Sequence, residues 1–224
     1  MHTATVAPTR MNMVQQPMST EILILTQWFS PAYPIGAFAY SHGLEAANID
    51  GIDDLECWLT DVLHYGAGRS DALFLAASYH VTDVSEIDAQ CRAFAPSAER
   101  LRETDLQGAA FGKVTSDVWT QVEIENLAYP VAVGRAAKLI ELPLKLTTTM
   151  FLHAFAANLV AAGQRLAGIG QTEAQALIKR LVPICITIAD DSADGNLDQL
   201  SSTAFMADIA SMKHETQYAR IFRT

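Results

Sequence analysis

The chain has 224 residues, enough for one large domain, and half are apolar against 18% charged, which excludes disorder for the bulk of it. A formal net charge of −10 and a pI near 4.9 argue against nucleic acid and an anionic membrane surface as partners, since both call for clustered Lys and Arg. Three widely spaced cysteines, Cys57, Cys91 and Cys185, argue against a disulfide framework or zinc knuckle and suit reduced thiols in the cytoplasm.

Residues 1–20 have no periodicity and read as a disordered N-terminal tail without the apolar core of a signal peptide. From Glu21 the pattern turns helical, then breaks at "WFSPAYPIGAFAYSHGLEAAN", Trp28 to Asn48. Pro31, Pro34 and Gly36 set backbone shape there, and Phe38 is expected to anchor in the core. Tyr40, Ser41, His42 and Glu45 are left as candidate partner contacts. The plainer alternative makes Ser41 a helix cap with Glu45 in the first turns after it.

Asp53 and Glu56 suggest a capping box for a helix whose Leu55, Trp58, Leu59, Val62 and Leu63 share a face until Gly66. "DALFLAASYH" is apolar nearly all round and predicts a buried helix. Val84, Ile87, Cys91 and Phe94 repeat at helical spacing up to Pro96, and Ser97 opens a longer helix. In that helix Gly108 and Gly112 lie on one face, where absent side chains let another element approach closely. Pro130 and Pro143 introduce two more helices, the second ending at Gly168 and Gly170. That second helix holds the most apolar window, yet Lys145, His153 and Asn158 mark it as a core helix rather than a membrane span. Thr172 with Gln175 suggests a further capping box, and Pro183 should kink or split the helix that follows.

No strand-like alternation and no repeat is present. The expectation is an all-α, compact single-domain bundle of roughly eight to ten helices over residues 21–224. It ends in a distinct segment of about residues 203–224. Lys213, Arg220 and Arg223 make that segment basic on an acidic chain, and Glu215, Tyr218 and Phe222 complete a set of candidate partner contacts. The segment either docks on its own bundle or folds on a partner; the second is the expectation.

No reaction chemistry assembles from these residues. "GAAFGK", Gly108 to Lys113, is one residue short of a phosphate-binding loop, and Val114 stands where the metal-binding hydroxyl belongs. Asp190 to Ser201 resembles a calcium loop, but Ser201 replaces the bidentate Glu at its last position. There is no G-x-S-x-G elbow. His42 and Glu45, three residues apart, are the one local pair with metal-ligand spacing, and they leave open a helical metal-dependent hydrolase or oxidase.

Five blocks in order resemble the urease accessory protein F family: "SPAYPIGAFAYSHGLE", "RETDLQGAAFGK", "YPVAVGRAA", "NLVAAGQRLAGIGQTEAQALI" and "DIASMKHETQYARIFRT". The likeness spans about residues 21–224, with small departures at Ala37, Tyr129, Ala174, Ile221 and Thr224. It implies an all-helical, non-enzymatic chaperone for urease maturation. Such a chain bridges accessory protein D (called H in some species) and the GTPase accessory protein G, and the assembly inserts nickel into apo-urease. The resemblance further implies a homodimer, with no tightly bound cofactor and with nickel handled by the complex rather than by this chain.

Overall fold

The structure, a computed structural model, describes residues 20–224; the predicted tail over 1–20 lies almost wholly outside the described residues. Nine α-helices and no strand occur among them. The helices are α1 (Thr20–Trp28), α2 (Ile52–Tyr65), α3 (Ala67–His80), α4 (Ser85–Ala93) and α5 (Ala98–Val118). They continue with α6 (Tyr129–Leu139), α7 (Leu144–Ala167), α8 (Gln171–Asp191) and α9 (Phe205–His214). The expected bundle is what forms.

Apolar periodicity explains the assembly. Leu55, Leu59, Val62 and Leu63 bury one stripe of α2 against α7 and α8, and the almost uniformly apolar α3 is enclosed between α2 and α6. Trp28 at the end of α1 is fully buried and meets Phe111 of α5 edge-on, with ring centroids 5.2 Å apart. Helix α7 is long and apolar enough to cross a membrane by length and composition, but it packs in the bundle, with Phe151, Leu152, Leu159 and Val160 in the core.

Gly108 and Gly112 do allow a close approach, although what approaches is an irregular segment rather than a helix body. A Cβ on Gly108 would fall 2.0 Å from the Leu127 carbonyl oxygen, and one on Gly112 would fall 3.0 Å from Ile124. That proximity threads Ile124–Ala128 along α5 before α6 begins.

Helix ends depart from the expected caps in two places. Helix α8 begins before Thr172: Gly170 is its N-cap, and the Glu173 carboxylate accepts from the Gly170 amide at 3.1 Å. Thr172 therefore sits inside the first turn and does not cap. Likewise α2 starts after Gly51, and Asp54, not Glu56, reaches back to accept from the Asp50 amide. Glu56 instead pairs with Arg180 of α8. Ser97 does cap α5, accepting from the Arg100 amide at 3.1 Å. Pro183 does not split α8, which runs unbroken from Gln171 to Asp191.

Candidate partner-docking site

The irregular segment between α1 and α2 starts at the surface and turns inward. Pro31, Pro34 and Gly36 are exposed, with Gly36 at φ +73° opening a short 3-10 turn over Ala37–Ala39. Phe38, expected in the core, lies on that turn with nearly half its surface in solvent. The anchors are its neighbours instead: Tyr33, whose hydroxyl shares a 2.8 Å hydrogen bond with Thr115, and Tyr40. From Tyr40 to Leu44 every residue is buried. Such a run shows no helical or strand period, so its burial was not legible from periodicity.

What covers these residues is the C-terminal segment of the same chain. The Thr224 carbonyl accepts from the Ser41 amide at 2.8 Å and from the Ser41 hydroxyl at 2.6 Å. The Arg223 amide donates to the Ala39 carbonyl at 2.7 Å. Glu45 accepts from the backbone amides of Ile221 (2.7 Å) and Phe222 (2.9 Å), and His214 Nε2 lies 3.2 Å from it. Burial pushes the Glu45 carboxyl up, but the two amides and His214 together outweigh it and hold it below the ordinary carboxylate range. The other nitrogen of the fully buried His214 meets Glu99 at 2.7 Å, and Arg220 pairs with the second Glu99 oxygen at 2.6 Å. A carboxylate oxygen thus lies within hydrogen-bond distance of each ring nitrogen.

Thr224 is gripped from α5 as well. Its hydroxyl donates to Glu103 at 2.8 Å, and Glu103 also accepts from Gln107 and forms an ion pair with Arg100. Arg165 of α7 covers the Phe222 ring at 4.3 Å and donates to the Phe38 carbonyl, while Asn158 donates to the Ala37 carbonyl. Glu215 accepts from the Ala98 amide at the start of α5. The segment is thus docked on its own bundle through a polar clasp.

These contacts correct the expected assignments. Tyr40, Ser41, His42 and Phe222 are buried, and Glu45, Glu215 and Arg220 are committed within the chain. Ser41 does lie within 3.4 Å of the Glu45 amide, as a cap should, but its hydroxyl proton goes to Thr224. Of the ten, Lys213, Glu215, Tyr218, Arg220 and Arg223 are exposed, and of these Glu215 and Arg220 are bonded within the chain. His42 and Glu45 do not converge: His42 packs edge-on against Phe155 and Trp58, and its pKa is lowered well below the ordinary value, first by burial and then by the Arg100 charge. No cluster of three or more metal-capable side chains occurs among the described residues.

Docking one face of α9 leaves the other free. Ala207, Ala210, Ser211 and His214 face the bundle, and Gly43 fits there because a Cβ on it would fall 2.7 Å from the Ser211 amide. Phe205, Met206, Ile209 and Met212 form the opposite stripe, with Phe205 64% and Met206 73% exposed. Tyr218 is wholly exposed and Ile221 is 68% exposed, extending the apolar character along the strap. Such a stripe of large apolar side chains on a helix is uncommon on the surface of a monomer. Arg100, Glu99, Glu103, Asn158 and Arg165 were not among the expected site residues, because no local motif marks them.

Comparison with known proteins agrees with the family resemblance. A family model described as UreF matches residues 49–182. The chain is 52% identical over 215 residues to the urease accessory protein UreF of Ruegeria pomeroyi, covering 93% of this chain and 99% of that protein. It is 54% identical over 213 residues to that of Ruegeria sp. strain TM1040, covering 92% and 99%. With the Roseobacter denitrificans protein it shares 50% identity over 214 residues, covering 92% and 96%. The chain belongs to the UreF family of urease accessory proteins.

Proposed function

We propose that the chain is a non-catalytic adaptor in urease maturation, working in the cytoplasm. It bridges accessory protein D (H) and the GTPase accessory protein G so that their complex delivers nickel to apo-urease. The observation that carries this reading is the stripe of Phe205, Met206, Ile209 and Met212, presented on a helix that the clasp holds in place. Exposed aromatic and Met side chains are enriched at interface cores, and preordering the helix lowers the entropy lost on binding. Accessory protein D is the partner assigned to this stripe, with Lys213 and Arg223 at its rim; the chain acts as a homodimer within the complex. Nickel is cargo of the assembly, and no tightly held cofactor is assigned to this chain.

Substituting Met206→Glu puts a charge at the centre of the stripe without touching the core. Co-purification with accessory protein D should fall at least tenfold, because a buried unpaired charge costs about 2–5 kcal/mol at an interface. Thermal stability of the isolated chain should stay unchanged. Wild-type binding by the variant would reject this face as the docking site.

A further inference from the structure

A cleft of about 720 Å³ opens between the Trp28–Phe38 segment and helices α3, α5, α7 and α8, and none of its lining residues belongs to α9. Its walls are aromatic and apolar, with Phe29, Tyr129, Met150, Phe151 and Phe155 among them. Its polar part is Asp71 of α3 with Arg100, Glu103 and Gln107 of α5, the last three spaced so as to share one helix face. The lining groups left unpaired are chiefly donors. Arg100 is 7% exposed and Trp28 fully buried, yet Arg100 Nε and Nη1 and Trp28 Nε1 find no hydrogen-bond acceptor among the described residues. Glu103 balances the guanidinium as an ion pair, while its hydrogen bonds come from Gln107 and Thr224. Against those three nitrogens stands one unpaired acceptor on the wall among the described residues, Asn158 Oδ1. A surplus of donors ordinarily suits an anion, but here one guanidinium already faces two carboxyls, those of Glu103 and Asp71. The acceptor that fits is therefore neutral.

We propose that this cleft binds a neutral carbonyl group carried on an apolar stem, the oxygen accepting from Arg100 and the stem lying among the aromatic side chains. The oxygen brings lone pairs without charge and takes the bond that no protein group provides. A carboxylate would add a third acid to one cation, and an ammonium would bring more donors to a wall already short of acceptors. The rings favour an aromatic stem, through burial and through edge contacts.

The test is calorimetry on the full chain at pH 7 with 3-phenylpropanamide, set against its carboxylate isostere 3-phenylpropanoate and against 3-phenylpropylammonium. The amide should bind at least tenfold tighter than either ion. Arg100→Met removes the donors and should weaken the amide about tenfold. Glu103→Gln keeps Arg100 but removes the charge that balances it, so the carboxylate should gain at least tenfold and overtake the amide. A merely structural Arg100 would not produce that reversal, and the reversal decides the matter should Arg100→Met fail to fold. No binding of the amide, a carboxylate bound as tightly as the amide by the wild type, or an unchanged order in Glu103→Gln would overturn the proposal. N-acetylphenylalanine methylamide separates the two sources of such a carbonyl. Tighter binding than 3-phenylpropanamide assigns the cleft to a peptide segment of a partner, equal or weaker binding to a free small molecule.

Discussion

Replacing Glu45 by Ala should release the C-terminal segment and cost about 3 kcal/mol of its docking free energy. One carboxylate serves the amides of Ile221 and Phe222 and the ring of His214, and its loss takes the acceptor from all three at once. Removing one member of a buried charged network costs about 3–5 kcal/mol, and the lower end applies because a freed segment can rehydrate. Trypsin should then cut at Arg220 and Lys213 many times faster than in the wild type, while helical circular dichroism changes little. His214→Ala should do the same, and the double variant should cost less than the sum of the single ones, because both act on one network. Additive losses, or unchanged proteolysis, would show that the clasp is held elsewhere.

Replacing Asp71 by Asn should stabilise the protein, and only at neutral to alkaline pH. The carboxyl titrates near 3.8 when solvated and near 7 in the fold. A group whose pKa is raised on folding gives its full stability below the unfolded value; that stability is lost as pH rises from about 4 to about 7. Three units correspond to about 4 kcal/mol, an upper figure because Asp71 keeps part of its surface in solvent. The Asn variant should therefore match the wild type near pH 4 and exceed it at pH 8 by a margin of that order, read as the denaturation midpoint against pH. A pH-independent difference, or a variant less stable at pH 8, would contradict the assignment.

The helices were legible because their apolar residues keep the 3.6-residue period, as in α2, and because Ser97, Gly66 and Gly168 punctuate them by known chemistry. Capping at Thr172 was misplaced since Gly170 offers no side chain to read, and Glu173 does the work from inside the helix. The Trp28–Glu45 stretch was legible as special, but not as internal. Its Pro and Gly spacing shows a shaped loop, whereas the burial of Tyr40–Leu44 depends on a segment more than 170 positions away in the chain. Long-range pairing of that sort leaves no local period. The same holds for Phe38 and Tyr40: two aromatics two residues apart look equivalent in sequence, and only the left-handed turn at Gly36 decides which one points out. Four of the five blocks that carry the family resemblance meet at the clasp, through Ser41 and Glu45, Glu103 and Gln107, Asn158 and Arg165, and the terminal strap.

The central claim is that the C-terminal strap is ordered by its own chain before any partner arrives. Hydrogen exchange on the isolated full chain at neutral pH reads it most directly, at the amides of Ile221 and Phe222 that donate to Glu45. Both should exchange at least a hundredfold slower than an unstructured peptide. Exchange at the peptide rate, with protection gained only when accessory protein D is added, would contradict it.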